Sequence, residues 1–549
     1  ALTDITIIFV AFFPQSCTRY VRLYLVLPDF FLLLGSPQFV MVLRVISSFL
    51  AHIGPTSEYT WARLIYSALR APLYHLYFEL FLILGIIWLL FKRRYRINDV
   101  IQLTSAEKQQ LIEEWKPEPL VPKDWTPPKN LLKQFSRCAV GPISKYVKFR
   151  PGASDTGDSN NVAQRSHLNL ASLNFLNFVG DPDLSEAAIV QMKRYGVGSC
   201  GPRGFYGTFD VHLELEQTIA QFLNVEKAVV YSFGAATFSS AIPSYAKRTD
   251  VIFADEGLSH TAFQGIVASR SHVRFFRHND MAHLEELLQA QAMKDTNDPQ
   301  RASHTRRFLV IEGLYLNYGD ICPLPKLVEL KYKYKVRILL DETLSFGVLG
   351  ATGKGVTEYY GVDIEDIDLI CGSLETALGV CGGFCAGTNY VVRHQELSGQ
   401  GYCFSASLPP MLASAARTAI MKLTSADENG TRNHRLLHVS RLVHTMFHES
   451  AKMSTHWELS GHPDSPVKHL RLRMANTLAT LEAVTEAAYK WMDPKDVNSP
   501  PLLLTVSRYA FTTRCPIPQP SIRLALNCDL TDSELRHLFH VLSSIPIVR

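Results

Sequence analysis

RRFLVIEGLY, Arg306 to Tyr315, and KVRILLDE, Lys335 to Glu342, are two short apolar runs, each carrying a carboxylate at or near its end. Aliphatic and β-branched residues in runs of this length, bounded by turn residues, predict strands buried on both faces. The pattern recurs in KAVVYS from Lys227, DVIFAD from Asp250 and IDLICGS from Ile367. Between the runs lie segments such as DMAHLEELLQAQAM, apolar on one face at helical spacing. Strands alternating with helices from about residue 165 give an α/β fold with a mixed, mostly parallel sheet. Ligands of open α/β sheets sit at the carboxyl ends of strands. Those ends carry Asp255, Glu312, Asp341 with Glu342, and the stretch GSLETALGVCGG, Gly372 to Gly383.

The chain has 549 residues, 47% apolar and 19% charged. That suits a globular protein with a large core, divided into two lobes. A net charge of +4 spread through the sequence leaves no electrostatic footprint for nucleic acid. The ten cysteines lack paired zinc-type spacing and read as reduced, mostly buried thiols of a cytosolic body.

The N-terminal part differs in kind. LYFELFLILGIIWLLF, Leu76 to Phe91, runs straight into Lys92, Arg93, Arg94 and Arg96. A bilayer core needs about 20 apolar residues, so a helix over about 74–91 reads as one membrane helix or, failing that, an interfacial one; the plainer reading is a buried core helix. The basic cluster after it, against Arg63 and Arg70 before it, places the C-terminal body in the cytosol. Residues 1–57 are apolar in patches but interrupted by Pro28, Asp29, Pro37 and Arg44. They read as a second membrane segment, a targeting piece, or sequence foreign to the native protein. A Pro-rich connector follows, Glu113 to Asn130, and a turn-rich loop, Gly152 to Asn161. The expected organisation is 1–57 as an uncertain extension, 58–96 as the membrane segment, 97–164 as linker and arm, 165–410 as the large domain, and 411–549 as a smaller α+β domain.

Taken singly, the strand ends are weak signals. Asp341 is placed to pair with a pyridinium nitrogen, but an Asp at a strand end is more often a cap or a salt-bridge partner. YSFGAAT, Tyr231 to Thr237, is a strand leading into a Gly-containing helix start, a suitable anion cradle or a plain turn. QGYCFSASLPP, Gln400 to Pro410, places Ser405 and Ser407 before a proline-marked helix entry. Their order along the chain is far more specific.

Longer runs carry a family resemblance: YGVGSCGPRGFYGTFDVHLELE from Tyr195, AIPSYAKR from Ala241, FRHNDMAHLEELL from Phe276, EGLYLNYGDICPLPKLVELKYKYKVRILLDETLSFGVLG from Glu312, and LSGQGYCFSASLPP from Leu397. With them the chain resembles the α-oxoamine synthase branch of fold-type I pyridoxal-phosphate transferases. Within that branch it is most similar to the non-catalytic, long-chain-base type-1 subunits of serine palmitoyltransferase. The resemblance covers roughly residues 60–549 and weakens after about 420.

The resemblance implies a fold-type I large domain and, in active relatives, a Schiff-base lysine in a stretch like GTFTKSFGASGG. Thr376 stands at that lysine position, and a hydroxyl forms no imine. Lys354 reads as a surface turn residue. Ser259 and Leu344 stand where active relatives carry histidines; His260 would need a register shift to substitute. Asp341 is retained as a vestigial cofactor position. The resemblance therefore implies no catalytic residue in this chain and no covalently held cofactor. It also implies a lysine-bearing partner subunit that binds pyridoxal 5'-phosphate and condenses L-serine with a long-chain acyl-CoA to 3-ketosphinganine. This chain would lend Cys200, Gly201, Pro202, Arg203, Tyr206, Thr208, Ser405 and Ser407 to the partner's site, with Arg203 as a bidentate clamp; an ordinary packed interface is the plainer reading. Further implied partners are small activating membrane subunits, Orm-type regulators and membrane lipid, at the endoplasmic reticulum. The alternative is a membrane-anchored scaffold that kept only the fold.

Other patterns weigh less. His434 with His438 and His444 with His448 have helical spacing but no carboxylate or cysteine partner, so a helix surface is expected and no metal. The sequon Asn429 to Thr431 is silent on the cytosolic side. Cys371, Cys381, Cys385 and Cys403 surround the altered stretch and are expected to be buried thiols.

Overall fold

The computed structural model describes residues 73–91, 103–116, 126, 137–150, 165–426, 430–474, 476–493, 499–508 and 518–546. The extension 1–57, Arg63, Arg70, the basic residues 92–96, most of the connector, the loop 152–161 and Asn429 lie outside the described residues.

The chain divides into two units, Ala1–Trp125 and Thr126–Arg549. In the first, the expected apolar segment is a 19-residue helix, Leu73–Phe91. At 1.5 Å per residue it is about 28 Å long, and its described apolar side chains, among them Phe81, Leu84, Ile87 and Trp88, are exposed. Among the described residues no helix is long and apolar enough to cross a membrane. The segment stands as an exposed apolar helix. A second helix, Ser105–Glu114, starts at a capping box between Thr104 and Glu107.

In the second unit seven strands form the central sheet: β1 (Lys227–Tyr231), β2 (Val251–Asp255), β3 (His272–Phe276), β4 (Arg307–Glu312), β5 (Arg337–Asp341), β6 (Leu369–Ser373) and β7 (Gly383–Gly387). Their order is β1-β7-β6-β5-β4-β2-β3. The pairs from β6 to β3 are parallel, and β7 runs antiparallel to both β6 and β1. Every residue of β2, β6 and β7 is buried, as a sheet covered on both faces requires. The runs RRFLVIEGLY and KVRILLDE contain β4 and β5, adjacent and in parallel register with Glu312 opposite Asp341.

The helix Pro410–Leu423, at the expected domain boundary, packs on the helices Pro182–Tyr195 and Asp210–Leu223. Beyond it a four-stranded antiparallel sheet forms from Trp457–Ser460, Val467–Leu472, Ile522–Ala525 and Thr505–Val506. Leu502–Leu503 returns to pair in parallel with His167–Asn169, so late chain completes the sheet of the N-terminal arm. The helix Asp532–Ser544 closes this region, burying Leu535, Leu538, Phe539, Val541 and Leu542 along one face. It opens on a capping box: Thr531 Oγ1 accepts from the Glu534 N–H, and Glu534 accepts from the Thr531 N–H at 2.7 Å. Thr531→Ala removes the side-chain half of this box, and the expected cost is about 1 kcal/mol, read as a lower urea midpoint at unchanged slope.

Candidate functional site

The carboxyl ends of β4, β5 and β6 open into a cavity of about 190 Å³. Its polar lining comprises Ser259, Thr261, Glu312, Asp341, Thr343, Ser373, Glu375 and Thr376, and its apolar wall includes Leu314, Leu316 and Leu344. Glu312 Oε1 accepts from the Ser259 N–H at 2.6 Å, and Asp341 Oδ1 from the Thr343 N–H at 2.9 Å. Two carboxylates side by side in a buried place resist joint ionisation. Burial, with the Asp341 charge behind it, pushes Glu312 up to about 8; burial pushes Asp341 up to about 6. Glu342, facing away toward Ser345 and the Val356 N–H, is pushed up to about 7, again chiefly by burial. The remaining strand-end acid, Asp255, is consumed internally: it accepts from the Gly257 and Asn279 N–H groups and pairs with His278 at 2.7 Å.

The residues around this cavity do not fit a covalently held aldehyde cofactor. Thr376 is buried and donates its hydroxyl to the Thr343 carbonyl, and among the described residues no lysine lines the cavity. Ser259 caps the helix His260–Ser269. His260 is exposed beside Gln264 and lies outside the lining, so the register shift that would substitute it does not occur. Leu344 packs into the wall. Asp341 lines the cavity floor beside Glu312.

The stretch Cys200 to Thr208 and the stretch Ser405 to Ser407 are brought together. The Ser407 N–H donates to the Gly201 carbonyl at 3.0 Å, Ser199 Oγ donates to the Ser407 carbonyl at 2.7 Å, and Ser407 Oγ donates to the Gly207 carbonyl. A Cβ at Gly207 would lie 1.9 Å from the Gly201 oxygen, so only glycine closes this contact. Pro202 accepts from the Phe205 and Gly207 N–H groups inside the same turn. His212 ties the pair to the next helix, with Nε2 at 2.6 Å from the Leu408 carbonyl and Nδ1 accepting from the Phe209 N–H. Burial holds that ring neutral, with its pKa down at about 4.

Three of the residues expected to serve the partner's site are engaged within the chain. Arg203 is buried, and its bidentate fork closes on the chain's own Glu216, at 2.7 and 3.1 Å. Thr208 Oγ1 is taken by Arg203, accepting from Nε and donating to the carbonyl. Ser407 is buried, and its hydroxyl donates to the Gly207 carbonyl. Cys200 remains exposed, Ser405 half-buried, and Tyr206 stands 98% exposed beside Phe205, held at φ 63° by the turn.

Cys371 and Cys385 are buried, their sulfurs 3.2 Å apart across β6 and β7. Cys381 is exposed and Cys403 half-buried, against the expectation for those two. The four helical histidines sit on Arg432–Glu449. Among the described residues no group of three or more His, Cys, Asp or Glu is placed to hold a metal ion.

Two residues that matter here escaped the sequence reading. Glu216 falls among Val211, His212, Leu215, Ile219 and Ala220 on the buried face of its helix; an acid at a core position demands a cationic partner. Glu375, immediately before Thr376, points its carboxylate at the Gly234 N–H, 3.2 Å away.

Comparison with known proteins agrees with the fold. Residues 165–542 match the aminotransferase class I and II family, which sets the class of this chain. The chain is 37% identical to serine palmitoyltransferase 1 of Dictyostelium discoideum over 83% of its own length and 90% of that protein's. It is 36% identical to long chain base biosynthesis protein 1 of Arabidopsis thaliana, over 84% and 89%. The chain belongs to the family of these long-chain-base biosynthesis proteins. The solved structure of a Sphingomonas wittichii serine palmitoyltransferase shares the fold, with a TM-score of 0.62 at 23% identity over 75% of this chain and 94% of that one.

Proposed function

We propose that this chain is the non-catalytic subunit of a heteromeric serine palmitoyltransferase. Family membership gives it a role in long-chain-base synthesis, in a fold class that depends on pyridoxal phosphate. The observation that carries the finer reading is Thr376, a buried hydroxyl spent on the Thr343 carbonyl where an amine would be needed. A second, lysine-bearing subunit then holds the cofactor and condenses L-serine with a long-chain acyl-CoA. The exposed Phe205, Tyr206 and Phe404, on the paired loops, offer that subunit an aromatic contact surface. The apolar helix Leu73–Phe91 seats the chain at the endoplasmic reticulum membrane, where acyl donor and product partition. The engagement of Arg203 and Ser407 within the chain favours a second reading, a scaffold that contributes no group to the partner's site.

Borohydride reduction of the complex purified through this chain is expected to fix pyridoxal phosphate on a co-purifying polypeptide and leave this chain unlabelled, by peptide mass. A reduced adduct on this chain would sink the proposal.

A further inference from the structure

We infer that the exposed residue Glu375 sets its carboxylate on the helix start at the mouth of the cavity, as an anion supplied by the chain itself, so that phosphorylated ligands are excluded by this carboxylate as well as by the missing lysine. The inference rests on the non-catalytic reading and names what enforces it. The helix Gly234–Tyr245 starts at the end of β1, and the residue before it, Phe233, gives no side-chain cap. The free N–H groups and positive end of such a helix attract an anion. Here the anion comes from the chain: Glu375 Oε1 accepts from the Gly234 N–H at 3.2 Å.

Local geometry holds Glu375 in this position. Its own N–H donates to Ser373 Oγ at 3.0 Å, and its carbonyl accepts from the Gly379 N–H at 3.2 Å. A Cβ at Gly234 would lie 2.3 Å from Ser373 Oγ, so helix start and loop meet where no other side chain fits. The rest of the lining offers a phosphate nothing to replace the lost contact. Among the described residues it holds Glu312 and Asp341 beside Glu375 and no basic side chain, while the hydroxyls of Ser259, Thr261 and Ser373 would suit a phosphate once Glu375 is gone.

The test uses the full chain in its purified complex, first reduced with borohydride so that any lysine-bound aldehyde is fixed. Pyridoxamine 5'-phosphate, which forms no imine with lysine, is then titrated in by equilibrium dialysis. Wild type is expected to take up no further equivalent. Glu375→Ser, and Glu375→Gln as the variant of matched size, are expected to bind one more equivalent per chain, on the order of tenfold tighter or better, the worth of one charge-assisted hydrogen bond. Binding by the Ser variant alone supports the inference and assigns the exclusion to bulk. Wild type binding as tightly as the variants overturns it. So does a failure of both variants to bind while they keep their circular dichroism and their partners. An adduct on this chain in the reduction step defeats the non-catalytic reading instead, so the two failures are told apart.

Discussion

Arg203→Ala is expected to lower the unfolding free energy by about 3–5 kcal/mol, the usual cost of leaving one member of a buried ion pair alone. Both side chains are buried, at 5% and 10% exposure, so solvent screens the pair little. Removing the guanidinium strands Glu216 with a single remaining donor, the Val230 N–H at 2.9 Å. It also frees Thr208 from Nε and removes the cation packed on the Tyr402 ring. That Val230 N–H points off the free side of β1, so a rescue must keep an acceptor at position 216. Arg203→Met with Glu216→Gln keeps it without charge, and most of the lost stability is expected to return. The pair of variants also decides what Arg203 does for the complex. A clamp on a ligand in the partner's site would be lost in both variants. A residue that only holds the Cys200 to Thr208 loop in shape loses turnover in the single variant and regains it in the double. Urea midpoints of the complex, with serine turnover alongside, separate the two, and recovery of both in the double variant is the expected result.

The large domain was legible because its physics is local. Strands buried on both faces read as unbroken apolar runs, so β2, β4, β5 and β6 lie where DVIFAD, RRFLVIEGLY, KVRILLDE and IDLICGS place them. That Thr376 stands at a lysine position was legible only through the family resemblance, as a change of residue type within a stretch shared with active relatives. What escaped were pairings between segments distant in sequence. Arg203 looks available until Glu216, thirteen positions on, is seen to face it across a turn. Ser407 looks available until the Gly207 carbonyl, 200 positions earlier, takes its hydroxyl. Glu375 lies 141 positions from Gly234, and no periodicity links a loop acid to a helix start. Folding uses such polar groups before any ligand does, and single-residue chemistry does not reveal which are already spent.

Glu312→Gln is expected to stabilise the chain at neutral and alkaline pH and to leave it unchanged in acid. The sign follows from linkage: a carboxyl whose native pKa is raised binds a proton more tightly folded than unfolded, so its contribution to stability falls as pH rises from the unfolded value toward the folded one. For Glu312 that window runs from 4.5 to about 8. At pH 7 the wild-type native state must keep a proton that the unfolded chain has released, a cost on the order of 3 kcal/mol. Glutamine carries the neutral form at every pH and still offers an oxygen to the Ser259 N–H. The difference between variant and wild type, from urea midpoints at fixed pH, should therefore be near zero below pH 4.5, grow through neutrality and level off above pH 8. Taking the difference removes the other titrating groups, such as His278, which is held up at about 9 by Asp255 and Asp320. Asp341→Asn supplies the independent check: it deletes the charge that adds to burial in raising Glu312, so the plateau should begin at lower pH and reach a smaller height. A flat difference in both backgrounds would mean that Glu312 stays ionised in the folded chain. The cavity would then carry its acids as full charges, and no proton held on Glu312 would bear on the stability of the chain.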